Sequence, residues 1–290
     1  WRELAGLRAK CRERGVAFGV GLSPFEIHDR WDSETKARLR EKVKTLLELE
    51  IDGLGLFFDD MKGAPDLAEK QVDIVDFVQE AAGVPVLFCP TYYSDDPILD
   101  KVFGARPPGY LEKLGAGLRP EVRILWTGSK VIPQSISASE LEAVASVLKR
   151  KPFVWDNFFA NDGPKQCKFL KLKPLGGRDA AALASSSGWA FNLMNQPALS
   201  ELVFAASAAT LKAVSTPENS LTSAAMRLAG SRFAGFLSAH QNGLLARSLD
   251  QLEESARVTL LSGLDESRFS ADVEAWVRGD YNVGSECLTD

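Results

Sequence analysis

Through residues 16–196 the chain alternates short apolar runs with longer stretches whose apolar residues recur at the helical period. The runs occupy 16–24, 53–58, 84–93, 122–128, 152–162 and 189–196, and each reads as a strand, the one at 53–58 as a strand buried on both faces. Helical stripes fill the gaps. Leu39, Val43, Leu46 and Leu47 follow a cap at Asp32 or Ser33. Leu67, Ile74, Val78 and Ala82 follow Pro65 and stop at Gly83. Leu141, Val144, Val147 and Leu148 follow an S-x-x-E box formed by Ser137 and Glu140. The pattern also predicts a short helix near 108–115, one over 198–214, and one over 2–14 that carries Leu4, Leu7 and Cys11 ahead of any strand. Residues 163–188 read as irregular. Strand and helix in alternation predict a parallel sheet with right-handed crossovers, an α/β fold of barrel type. After about residue 215 only helical stripes remain, Leu245, Leu249, Leu252 and Ala256, then Phe269, Val273 and Trp276. Residues 1–214 are therefore read as the barrel and 215–290 as a helical appendage.

Each run ends in polar or aromatic residues: Ser23, Asp59 with Asp60, Tyr92 with Tyr93, Trp126 with Thr127, Trp155 to Asn157, and Asn192 with Asn195. Strand ends converging on one rim are what a barrel active site requires. The sharpest case is Gly53 to Asp60, where Leu54, Leu56, Phe57 and Phe58 give way abruptly to two carboxylates. Adjacent carboxylates can be given different environments, one ionised and one holding a proton. The plainer reading is a pair that ends the strand, caps the next helix and faces water. Trp126 and Trp155, each taken alone, read as core.

Composition narrows the chemistry. The 290 residues suit one large domain, alone or with a small appendage, and 45% apolar with 25% charged residues is ordinary for a globular chain. A net charge of −5 argues against nucleic acid or an anionic membrane as partner. No apolar stretch of about 18 residues and no signal peptide stands in the sequence. Cys11, Cys89, Cys167 and Cys287 are scattered and read as free thiols. The compartment is left open, with a cytoplasmic location favoured. With only His28 and His240, a histidine metal site or triad is not expected, so chemistry falls to carboxylates, amides and aromatics.

Taken together, FFDD at 57–60, CPTYY at 89–93, WTG at 126–128, WDNFFAND at 155–162, LGGR at 175–178 and NLM at 192–194 resemble glycoside hydrolase family 84 in order and spacing. These are the β-N-acetylglucosaminidases that include the protein O-GlcNAcases. The resemblance covers roughly residues 1–214. It implies a (β/α)8 barrel, no cofactor, and retaining hydrolysis of terminal β-linked GlcNAc, on glycosides or on Ser/Thr of a glycoprotein, in which the sugar's own acetamide oxygen attacks the anomeric carbon to form an oxazoline. It implies that Asp59 orients and polarises the acetamide N–H, and that Asp60 protonates the leaving oxygen and then activates water. Tyr93 would bond the acetamide oxygen, Trp155 would wall its pocket, and Asn157, Asp162 and Asn192 would hold sugar hydroxyls.

The chain departs from the family in two places. Tyr92 stands where the family usually has Glu. The family's first two strands, with a Gly-Phe-Tyr-Gly turn and a Lys, have no counterpart here, so a further segment or a separate chain is expected to supply them. The helical region is open to two readings, as one side of the aglycone cleft or as a homodimer contact. A non-catalytic GlcNAc-binding relative is the competing function. A Mg²⁺-dependent lyase or phosphotransfer barrel with Asp59 and Asp60 as ligands is a third, and no phosphate-binding glycine loop supports it.

Overall fold

The computed structural model describes residues 1–59, 61–212 and 217–283, so Asp60 and Cys287 lie outside the described residues. The elements run α1 Arg2–Glu13, β1 Gly19–Leu22, α2 Ser33–Leu47, β2 Gly53–Phe57, α3 Leu67–Ala82, β3 Val86–Cys89, α4 Ile98–Phe103, α5 Tyr110–Gly117, β4 Arg123–Trp126, α6 Ala138–Leu148, β5 Phe153–Asp156, α7 Ala180–Ala184, β6 Gly188–Phe191, α8 Pro197–Leu211, α9 Pro217–His240, α10 Glu254–Ser262 and α11 Arg268–Arg278. All six expected strands form, and they stand in sequence order in one sheet. The pairs from β1 to β5 are parallel, so their C-terminal ends share one edge. The fold is α/β, with a curled parallel sheet of barrel type and only helices and turns described after β6.

The chain divides into two compact units. The first holds Trp1–Lys130, Ser139–Val154 and Ser185–Gly188, and the second holds Val131–Ala138, Trp155–Ala184 and the chain from Trp189 onward. In the first unit glycine decides how the sheet packs. A Cβ on Gly21 would lie 2.3 Å from the Phe57 ring, and one on Gly55 would lie 2.8 Å from it. Small residues on β1 and β2 therefore make room for one large ring from β2. An apolar hollow of about 520 Å³ remains beside them, lined by Gly19, Gly53, Phe57, Leu87 and Phe153 among others. Among the described residues β1 has β2 as its only strand neighbour. Asp32 caps α2 by accepting from the Thr35 N–H at 2.9 Å, and Gly83 ends α3 in the left-handed region at φ 62°.

α1 forms where expected, yet it buries no residue, and Leu7 is 50% exposed. A periodic stripe says which residues share a face, not whether that face has a partner. The helix is tied down by Arg8, whose Nε donates to the Glu50 carbonyl at 2.7 Å. α4 lies where the pattern predicted no element; six residues are too few to show a period, and it is held by buried Leu99 and Phe103.

The second unit has its own core, built from Phe158 and Phe159 after β5, Leu199 and Val203 of α8, Phe233 of α9 and Trp276 of α11. Leu245, Leu249 and Leu252 are buried there, but not on the single helix their spacing suggested. They ride on 3-10 turns at Leu244–Ala246 and Leu249–Gln251, the second closed by a Ser248–Gln251 capping box. A spacing of three to four residues suits both geometries. Asp272 of α11 accepts from the Ala198 and Leu199 amides at 2.7 and 3.1 Å, so the N-terminus of α8 is capped from a distant helix.

Candidate active site

In the first unit the carboxylate stretch follows β2. Phe58 is fully buried and its N–H donates to the Cys89 carbonyl at 2.9 Å, which carries the β2–β3 pairing one residue past Phe57. Asp59 comes next and is half-buried. On the neighbouring strand end Tyr93 is buried, and its carbonyl accepts from the Thr127 N–H at 3.0 Å. Tyr92, one residue earlier, is spent on packing. Its hydroxyl donates to the Gly104 carbonyl at 2.7 Å, its ring meets Phe103 and Tyr110 edge-on, and the Arg106 guanidinium lies 5.2 Å over it. Burial pushes its phenol up from the ordinary tyrosine value. A Cβ on Gly63, in the loop after the carboxylates, would lie 2.2 Å from the Tyr92 hydroxyl, so the ring closely braces that loop. The departure at position 92 is thus a packing residue.

In the second unit the residues after β5 and β6 meet directly. Asn157 donates from Nδ2 to the Val131 carbonyl at 2.8 Å and accepts at Oδ1 from Asn192 Nδ2 at 3.2 Å. Each amide keeps some unspent donor and acceptor capacity. Trp155 is half-buried in β5, and Asp162 is exposed. Trp126, by contrast, is plain core in the first unit, 1% exposed.

Several polar residues with no role expected from the sequence prove to be buried or half-buried and engaged inside the protein. Asp156 and Arg178 form an ion pair with both side chains at 0% exposure. Asn161, inside the WDNFFAND segment, donates to Gln196 Oε1 at 2.8 Å and to the Phe169 carbonyl at 3.0 Å, and accepts from the Asn195 N–H at 2.8 Å. It staples the loop after β5 to the end of β6. Lys173 places its ammonium 4.1 Å over the Phe158 ring, and burial followed by the Arg178 charge lowers its pKa. The quoted motifs contained Asp156, Arg178 and Asn161; nothing in the sequence marked Lys173. The first unit holds a further network around Thr91. Its hydroxyl donates to the Phe58 carbonyl at 2.8 Å and accepts from Gln71 Nε2 at 2.9 Å, and its N–H donates to Tyr110 Oη at 3.1 Å.

A family model described as beta-N-acetylglucosaminidase matches residues 1–240. The curated proteins named Protein O-GlcNAcase from Rattus norvegicus and Mus musculus are each 29% identical over 197 residues, covering 64% of this chain and 21% of theirs. The chain thus spans about a fifth of the length of the curated relatives it matches. A solved structure of a Thermobaculum terrenum O-GlcNAc hydrolase mutant superposes with a TM-score of 0.75 at 22% identity, over 97% of this chain and 70% of that one. At that identity the likeness speaks for the fold.

Proposed function

Since the chain belongs to the β-N-acetylglucosaminidase family, we propose that it is a retaining exo-β-N-acetylglucosaminidase that acts on terminal β-linked GlcNAc through an oxazoline. The observation that carries this reading is the carboxylate pair at the end of a buried parallel strand, inside a chain matched by that family over most of its length. A binding relative has no use for a proton donor at that place. Asp59 orients the acetamide N–H and steadies the oxazolinium charge. Asp60 delivers a proton to the leaving oxygen and takes one from water. Tyr93 bonds the acetamide oxygen and Trp155 walls the acetamide pocket. Asn157, Asn192 and Asp162 take sugar hydroxyls, and the Asn157–Asn192 bond holds both amides in register for that task. The curated relatives are named for O-GlcNAc, which supports Ser/Thr-linked GlcNAc on glycoproteins as a substrate class.

Hydrolysis of an aryl β-GlcNAc, followed by proton NMR of the first-formed sugar, tests the reading. The expected result is turnover with the β anomer appearing first and with inhibition by a thiazoline mimic of the oxazoline. Tight binding of the mimic without turnover would leave the sugar-binding relative, and an α anomer formed first would exclude substrate assistance.

We also propose that two further strands, from a segment outside this sequence or from a separate chain, extend the sheet, one of them pairing with the second edge of β1. The open edge of β1 and the hollow beside its glycines support this. Hydrogen exchange on the full-length protein is expected to show the β1 amides protected on both sides. Exchange at β1 as fast as in a surface loop would contradict it.

A further inference from the structure

With Phe57 opposite Cys89, and with the Phe58 N–H on the Cys89 carbonyl at 2.9 Å, a regular parallel ladder would next run from the Thr91 N–H to the Phe58 carbonyl. The Thr91 N–H goes instead to Tyr110 Oη at 3.1 Å, and the Thr91 hydroxyl takes the Phe58 carbonyl at 2.8 Å. Gln71 closes the circuit, donating from Nε2 to Thr91 Oγ1 at 2.9 Å and accepting at Oε1 from the Tyr110 hydroxyl. Gln71 and Thr91 are 0% exposed and Tyr110 is 1% exposed. The direction of each bond is determined. Burial pushes the Tyr110 phenol far up, so it keeps its proton. Because it accepts from an N–H, that proton goes to Gln71 Oε1, which leaves Gln71 Nε2 for Thr91 and the Thr91 proton for Phe58.

The carbonyl so gripped belongs to the peptide whose nitrogen is that of Asp59. Phe58 is thus held on the end of β3 twice, by its N–H on the Cys89 carbonyl and by its carbonyl on the Thr91 hydroxyl. Thr91 also lies two residues before Tyr93. α3, α5 and the end of β3 thus meet at the peptide that leads into Asp59. We propose that Thr91, Gln71 and Tyr110 are positioning residues, a buried circuit that sets the backbone leading into Asp59 and the spacing of that backbone from Tyr93. The proposal rests on the reading of those residues as the reacting groups. Support of this kind matters because a displacement of about 1 Å in a reacting group costs on the order of 100-fold in rate.

Thr91→Val keeps the shape and removes the hydroxyl, and Thr91→Ser keeps the hydroxyl. Thermal melts identify the variants folded at the assay temperature, and Gln71→Met replaces Thr91→Val should the latter not fold. On an aryl β-GlcNAc, Thr91→Val is expected to lower kcat by about 10- to 100-fold with KM within about threefold, and Thr91→Ser to restore kcat to within about threefold. A second readout does not need turnover: carbon-13 NMR titration of the Asp59 and Asp60 carboxyls in the same proteins. The expected result is that Thr91→Val displaces the coupled titration of the pair and Thr91→Ser returns it. A folded Thr91→Val with unchanged titration and unchanged kcat, or a Thr91→Ser that behaves like Thr91→Val, overturns the proposal and leaves the circuit with a role in stability alone. A wild type that does not turn over defeats the hydrolase reading, and the titration still decides whether the circuit positions the carboxyls.

Discussion

Asp60→Asn is expected to lose about 10²–10⁴-fold in kcat/KM on a GlcNAc glycoside with a poor leaving group, and far less on an activated aryl glycoside. The contrast follows from the role assigned to Asp60. An alkoxide leaving group needs a proton as the glycosidic bond breaks, whereas an activated phenolate departs without one. Asp59→Asn is expected to behave differently. On the proposed role of Asp59 it removes the negative charge that steadies the developing oxazolinium, so both substrates slow and a thiazoline mimic loses affinity in the same variant. Steady-state kinetics on a series of aryl glycosides of graded leaving-group acidity reads both effects. Equal losses for Asp60→Asn across the series would remove Asp60 as the acid, and exchanged behaviour of the two variants would reverse the assignments. A pH profile alone would not separate them, because neighbouring carboxyls titrate as a coupled pair.

Arg178→Met is expected to destabilise the chain by about 3–5 kcal/mol, and Asp156→Asn by a comparable amount, since each leaves a buried charge without its partner. The pair has no slack. Arg178 donates from Nε to Asp156 Oδ2 at 2.8 Å and from Nη2 to Asp156 Oδ1 at 2.7 Å. Its remaining N–H groups go to the carbonyls of Pro133 at 2.8 Å, Gln134 at 2.5 Å and Gly176 at 2.9 Å. Asp156 also accepts from the Phe158 N–H at 3.0 Å and Trp189 Nε1 at 3.1 Å. Several otherwise irregular stretches therefore converge on one guanidinium, and Asn157 follows immediately. Against a folding stability that is typically about 5–15 kcal/mol, such a loss moves a urea midpoint a long way. Replacing both partners, Asp156→Leu with Arg178→Met, should cost clearly less than the two single losses added together, because no unpaired charge remains. A midpoint for Arg178→Met within about 1 kcal/mol of wild type would mean that water reaches the pair and that burial does not set its energetics.

The strands and the main helices were legible because the signals that define them are local. Leu54 to Phe58, the Asp32 cap and the Gly83 stop act over a few residues, and all reappear where the pattern put them. Their alternation made a parallel sheet the expected arrangement. The paired aspartates were likewise visible from polarity alone, two charges at the end of a run with no other polar residue. The turns around Leu245 to Leu252 were not legible, since helix and 3-10 turn share a spacing, and α4 was too short to carry one.

What only the tertiary structure decided is which polar residue at a strand end is consumed inside the protein. Tyr92 and Tyr93 look alike in the sequence, as do Asp156 and Asn157, or Asn161 and Asp162. In each pair one residue is tied to a partner that nothing local announces. Which one turns inward depends on partners far away in sequence: Gly104 for Tyr92, Arg178 for Asp156, Gln196 for Asn161, and Gln71 and Tyr110 for Thr91. A buried polar group must find its hydrogen bonds somewhere, and the chain alone does not say where those partners will be until the fold has brought them together.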